Sequence, residues 1–230
     1  MILAANQPCY LPAVDFFNKM SRADVFVLAD DVQYSTNAFI NRARIKTAQG
    51  AGWLTMPVRS RGRSGQRIAD VEFDVWQTWR VKHWRTLVTN YTYAGYFEDH
   101  ADFFEKFYLS GSIRQKLLEV NVALISYVID RLQIHARILL SSDLHIKAEG
   151  KDWIYKIASA TGCDTYLADS RFASYLTTDE FVERGLRLDL LPPPDIRYYQ
   201  QFGDFVPGLS IVDLLFNEGV NGSRTLMAKS

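Results

Sequence analysis

The stretch from Met1 to Asp31 narrows the possible folds more than any other part of the chain. "MILAAN" at Met1 to Asn6 is an apolar run that meets Pro8 and Pro12, which marks a short buried strand ending in a turn. Leu11 to Met20 then carries apolar residues at helical spacing, and "DVFVLADD" from Asp24 to Asp31 is a β-branched and aromatic run with its carboxylates at the C-terminal end. Strand, helix and strand in so short a span predict a right-handed βαβ unit and therefore a parallel sheet.

The order continues further along. "WLTMPVR" from Trp53 and "IADVEFD" from Ile68 read as two strands of a hairpin, joined by the loop "SRGRSGQ". From Trp76 to Ile134 the period changes to helical. Trp76, Trp79 and Trp84 share a face with Leu87 and Val88, and a later helix opens with Ser112 as its cap. "ARILLSSDL" returns to strand, "KDWIYKIASATG" is a helix closed by Gly162, and "DTYLAD" is strand again. A short helix ending at Gly185, the strand "LRLDLLP" and the capped helix "SIVDLLFNEG" complete the chain. The expectation is a single α/β domain over 1–230: a Rossmann-like parallel sheet flanked by helices, with a helical insertion around residues 76–134.

Composition sets bounds on function. The 230 residues carry 26 basic and 26 acidic side chains, so the formal net charge is zero. With a pI near 6.9 and no extended basic face, nucleic-acid binding is not expected. No basic n-region precedes an apolar one, and no stretch is long and apolar enough to span a bilayer, so a cytoplasmic protein that does not enter the membrane is expected. Cys9 and Cys163 form neither a disulfide framework nor a zinc motif and read as small buried residues. No metal ligand set is predicted. Walker, G-x-G-x-x-G, G-x-S-x-G and H-E-x-x-H motifs are all missing.

In an open parallel sheet, ligands bind outside the C-terminal strand ends. Asn6 and Gln7 follow the first strand, Asp30 and Asp31 the second, Ser141 to Asp143 a later one, and Asp169 with Ser170 another. All four polar groups therefore fall on one rim, although Asp, Asn and Ser also end strands simply as turn formers. Between Asn41 and Arg67 stand Arg42, Arg44, Lys46, Arg59, Arg61, Arg63 and Arg67, with no Asp or Glu. Arginine forks match phosphate and carboxylate, so an anionic small molecule such as a nucleotide or nucleotide-sugar is the expected ligand of Asn41, Arg42, Arg44 and Lys46. The four arginines of the loop read instead as a solvated face. For Asp30 and Asp31 three roles stand open: binding Mg²⁺ with a diphosphate, acting as a general base, or holding an arginine. His83, among Arg80, Lys82 and Arg85, is either an acid/base group or the partner of a core hydrogen bond. Asn121, amid apolar neighbours, is expected to bond to backbone or to another helix.

The ordered set "QPCYLP", Phe17-x-Lys19, "ADVFVLADDVQYS", "NRARIKT", "WLTMPV", "KH" at Lys82–His83, "YLADS" and "LSIVDLLFNEG" resembles the WbqC-like family over nearly the whole chain. The resemblance implies a setting in surface-polysaccharide (O-antigen) gene clusters and a transferase that attaches an aminoacyl group, glycine for example, to a nucleotide-activated amino sugar. It also implies site roles for Gln7, Tyr10, Lys19, Asp30, Asp31, Gln33, Asn41, Arg42, Arg44, Lys46, Trp53 and His83. Two departures stand out. Asn6 replaces a usual His and cannot carry a proton at neutral pH, and "YLADS" replaces a small, flexible "YLSG" and adds a carboxylate. These departures support an alternative, a non-catalytic protein that binds a sugar nucleotide or a partner. A third option is an assembly role through the aromatic helical face.

Overall fold

The computed structural model describes residues 1–74, 78–110 and 116–229. They form two compact units, each discontinuous in sequence. One comprises Met1–Pro8, Asp15–Val32 and Ile134–Pro194, the other Cys9–Val14, Gln33–Gln133 and Asp195–Ser230. The expected Trp76 helical position and the Ser112 cap lie outside the described residues.

The first unit is the predicted α/β fold. Its strands are β1 (Ile2–Asn6), β2 (Val25–Leu28), β5 (Arg137–Leu140), β6 (Thr165–Asp169) and β7 (Arg187–Leu191). They form one sheet in the order β5-β2-β1-β6-β7, and every pairing is parallel. Taken in chain order, this is the doubly wound arrangement in which the second and third strands extend to one side of the first and the last two to the other. All four residues of β2 are buried, as are Leu3 and Ala4 of β1, which fits strands covered on both faces.

Three helices accompany this sheet: α1 (Val14–Ser21), α5 (Gly150–Thr161) and α6 (Thr178–Glu183). In α5 the apolar positions Ile154, Ile157 and Ala158 repeat at three and four, and they pack with Leu3, Val25, Val27, Tyr166 and Phe181 into one core. Gly162 stops the helix in the left-handed conformation, φ 70° and ψ 24°, and its N–H reaches the Ser159 carbonyl. Of the two cysteines, Cys163 joins the core and Cys9 is half-buried.

The second unit contains a hairpin, β3 (Arg42–Thr47) with β4 (Gly50–Thr55), and four helices: α2 (Trp79–Tyr91), α3 (Glu98–Leu109), α4 (Leu117–Leu132) and α7 (Ile211–Ala228). The expected pairing of the Trp53 and Ile68 segments gives way here. Strand β4 pairs with Arg42–Thr47, the later segment forms a 3-10 turn over Ile68–Asp70, and the expected pairing shrinks to the antiparallel bridge of Val58 with Phe73, flanked by the Arg59 N–H on the Glu72 carbonyl and the Asp74 N–H on the Pro57 carbonyl. The physical reason is alternation: Ala43, Ile45 and Leu54 put a small apolar row on the buried side of the hairpin, and the arginines occupy the other side.

Aromatic packing holds the helices together. Phe216 of α7 meets Tyr91, Phe97, His100 and Phe104 with ring centroids 5.2–5.8 Å apart. Trp79, Trp84, Phe104 and Tyr108 are buried, so these rings form the core of their own unit. Of the same stretch, Tyr93 and Tyr96 are exposed. Asn121 is fully buried and donates from Nδ2 to the Ile40 carbonyl at 2.7 Å, as its surroundings suggested.

Helix α7 breaks at Gly219, where φ 65° and ψ −178° belong to a region that only glycine enters without strain. A Cβ placed there would lie 2.7 Å from the Tyr96 ring, whereas at Gly162 the nearest atom would be the Met1 side chain at 3.7 Å. Gly162→Ala should therefore cost about 1 kcal/mol, the backbone term alone. Gly219→Ala should cost at least about 2 kcal/mol, since ring displacement adds to it. Urea unfolding of both variants checks the order, and equal losses would show that Tyr96 yields without cost.

Candidate functional site

Strand order reverses between β1 and β6, so the chain leaves these neighbours toward opposite faces and a crevice opens at their C-terminal ends. A cleft of about 390 Å³ lies there, within the first unit. Asn6, Gln7, Lys19 and Asp169 supply its polar groups, and Trp153, Tyr166, Phe172 and Tyr175 much of its apolar wall.

Lys19, on α1, is 4% exposed, and its ammonium donates to the Ala5 carbonyl at 3.1 Å and to Asp169 Oδ2 at 2.8 Å. Arg171 reaches Asp169 Oδ1 at 3.4 Å and Asp15 at 3.5 Å. Burial by itself would raise the Asp169 carboxyl, but Lys19 and then Arg171 outweigh it and hold the group below its ordinary value. Lys19 and Asp169 are the charged residues that line the cleft, so it presents a paired charge rather than a net one. Asn6 Oδ1 accepts the Gln7 N–H at 3.1 Å, closing the turn after β1.

Asp30 and Asp31 follow β2 on the same rim, beside the end of β5. Asp30 is buried. Its Oδ1 accepts from the Ser142 N–H at 2.9 Å and from the Ser141 hydroxyl at 3.1 Å, and its Oδ2 accepts from the Ser142 hydroxyl at 2.8 Å. The Asp30 N–H in turn donates to Ser141 Oγ. Asp31 Oδ1 competes for the single Ser141 proton, and Asp31 Oδ2 has no partner among the described residues. The pair therefore clasps β2 to β5, and one oxygen remains for a ligand. Among the described residues no three His, Cys, Asp or Glu side chains gather as a metal site.

The other sequence candidates belong to the second unit. Tyr10 and His83 come together: the Tyr10 hydroxyl lies 2.9 Å from His83 Nδ1 and also bonds to the Tyr108 hydroxyl, inside a box of Phe73 and Trp79. Burial lowers the His83 pKa to about 4, against a hydrogen bond to the Thr55 backbone, so the ring is neutral at physiological pH. Lys46 is also buried. Its ammonium donates to the Asp204 carbonyl, and its N–H to the Tyr91 hydroxyl at 2.8 Å. Tyr91 and Tyr198 both donate to Asp213, whose carboxyl is raised by burial against those two bonds.

Asn41 bonds to the Met56 carbonyl, and Gln33 is exposed and bridges to Arg67. The Arg42 guanidinium lies 4.3 Å over the Trp53 ring, and Arg44 stands opposite Trp53 in the hairpin register. Arg59 and Arg63 meet Glu72, and Arg67 meets Asp70, in exposed pairs, which agrees with a solvated loop. Thus the acids and the bases read together from the sequence fall in different units. The cleft's aromatic wall was missed in the sequence reading. Tyr166 and Trp153 lie in elements that were identified, but nothing in their spacing distinguishes a cleft wall from core.

The Lys19–Asp169 pair makes stability depend on pH. With Asp169 held below its ordinary value, its contribution is present above the unfolded carboxylate pKa near 4 and is lost as pH falls through the lower folded value. Lys19→Met should cost about 2 kcal/mol at pH 7, because it leaves the half-buried Asp169 carboxylate with the exposed Arg171 as its remaining partner. Burial then raises Asp169, so the deficit should shrink as pH falls toward 4. Urea midpoints of both proteins across that range are the check, and a pH-independent deficit would mean that the loss is only packing.

The chain matches the model of the WbqC-like protein family over residues 7–225. It is 33% identical over 219 residues to "Uncharacterized protein Rv1507c" of Mycobacterium tuberculosis (strain ATCC 25618 / H37Rv), with 94% of each chain covered. No solved structure matches it. Among the described residues no helix is long and apolar enough to cross a membrane. A family match that spans both units and reaches from the first strand-end turn into the last helix leaves one conclusion: the chain belongs to the WbqC-like family.

Proposed function

We propose that this protein is a cytoplasmic transferase of surface-polysaccharide biosynthesis that takes a nucleotide-activated amino sugar and attaches an aminoacyl group to it. The observation that carries the reading is the cleft between the ends of β1 and β6, with aromatic rings on its walls and one ion pair at its polar edge. Doubly wound sheets place nucleotide ligands at this crossing point. Flat rings such as Trp153, Tyr166 and Tyr175 suit the stacking of a base or the apolar face of a sugar.

Within this reading, Lys19 offers its remaining N–H to a substrate oxygen, and Asp169, already ionised, accepts from an amine or hydroxyl. Asp31 Oδ2, which accepts no hydrogen bond from the described residues, is the oxygen left to hold a magnesium ion carried in with a diphosphate. The second reading is binding without turnover. Asn6 favours it, because the side chain lining the cleft at the end of β1 cannot take up a proton and its oxygen is already committed to the Gln7 N–H.

Thermal-shift and calorimetric titration with UDP-glucosamine, whose amine is free to be acylated, as the probe, with and without Mg²⁺, tests the site. Saturation should raise the melting temperature, by about 2.7 kcal/mol of stabilisation at a hundredfold excess over Kd, and Trp153→Ala should remove most of it. No shift at millimolar probe would sink the nucleotide-sugar reading. Mass spectrometry of the sugar product after incubation with ATP and an amino acid separates the two readings: a mass gain supports transfer, and binding without one supports the second.

A further inference from the structure

We infer that the second unit carries its own binding site for an anionic, ring-bearing ligand, on the outer face of the β3–β4 hairpin. The pairing register sets Arg44 directly opposite Trp53 and Arg42 opposite Thr55, so both guanidinium groups share a face with the indole. The Arg42 guanidinium lies 4.3 Å over the Trp53 ring, and Phe39 stands 5.5 Å from the same ring, centroid to centroid.

The charge on this face is not answered. Arg42 donates to the Asn37 carbonyl, which fixes the plane of its fork, while its Nε is buried without an acceptor. Arg44 makes no side-chain hydrogen bond or ion pair with the described residues, and its guanidinium sits beside Gly208, where a Cβ would approach to 3.8 Å. Of the four arginines in the following loop, Arg59, Arg63 and Arg67 find carboxylates. Two like charges side by side on a hairpin repel unless an anion joins them.

The rings supply the second half of the site. Phe39 is 46% exposed and Trp53 47%, an unusual state for two large aromatics already in contact with each other. A ligand with a phosphate group for the arginine forks and a flat base or sugar to cover the rings satisfies both. Lys46, which the sequence grouped with these arginines, takes no part, since its ammonium is buried on the Asp204 carbonyl. None of its residues lines the cleft of the first unit, and it does not rest on the transferase reading.

The test uses the full chain and three probes, pyrophosphate, UDP and uridine, titrated calorimetrically. UDP should bind most tightly, pyrophosphate more weakly and uridine weakest. Arg44→Ala should weaken both anions about tenfold or more. Trp53→Ala should weaken UDP and leave pyrophosphate unchanged. Arg44→Lys, which keeps the charge and loses the fork, should fall between Arg44→Ala and the parent, and it serves if Arg44→Ala does not fold by circular dichroism. Trp153→Ala, in the cleft, should leave pyrophosphate binding intact. The inference is overturned if the parent protein binds neither anion at millimolar concentration. It is also overturned if the Arg44 variants bind as the parent does, or if Trp153→Ala abolishes all binding.

Discussion

The cleft of the first unit depends on one buried cation. Lys19 carries its ammonium out of water to meet the Ala5 carbonyl on β1 and the Asp169 carboxylate on β6. These are the two strands whose following loops must part, so the pair spans the place where the sheet would otherwise be tied together least. Burying a charge is costly unless its hydrogen-bonding capacity is met, and here an anion and a carbonyl meet most of it. Geometry is what the arrangement contributes: the end of β1, the end of β6 and helix α1 are fixed relative to one another, and the open space beside them becomes a defined cleft.

A parallel device works two strands away. Asp30 takes three hydrogen bonds from Ser141 and Ser142, so the ends of β2 and β5 are held by side chains beyond the last ladder bonds. The rim is thus stiffened at both of its polar clusters. Acidic residues at strand ends carry two meanings at once here. Asp169 and Asp30 serve mainly to position backbone, and Asp31 alone keeps an oxygen free.

The first unit was largely legible in the sequence, because its signals are local and strong. The βαβ opening, the glycines that end α5 and α6, and the polar residues after each strand all stand where periodicity and turn chemistry put them. Strand β3 was not read. "RARIKT" hides its alternation behind small Ala43 and behind charges that suggested a ligand, and the Trp53 segment, which pairs with it, was matched to the segment after Ile68 instead. The acids and bases read together from the sequence belong to two units, a division that nearness in sequence does not reveal. Lys46 shows the limit of reading charge from a row of letters: a lysine beside two arginines looks like part of a cationic patch, yet it is 1% exposed and serves the interior.

The central strand of the sheet comes first in the chain, and one of its two neighbours comes very late. Strand β1 pairs with β2 almost at once, but its other edge must wait for β6, where Ile2 meets Thr165, while Gln33–Gln133 build a separate unit in the interval. Contacts this distant in sequence make for slow folding, because the loop must close before the pairing rewards it. During synthesis the emerging β1–β2 pair therefore shows an unpaired apolar edge to its surroundings until the last third of the chain has been made. The same edge is a template for pairing with other chains in that interval. The intervening unit is itself completed later still, because Phe216 of α7, whose ring meets Tyr91, Phe97, His100 and Phe104, is made after every strand of the sheet.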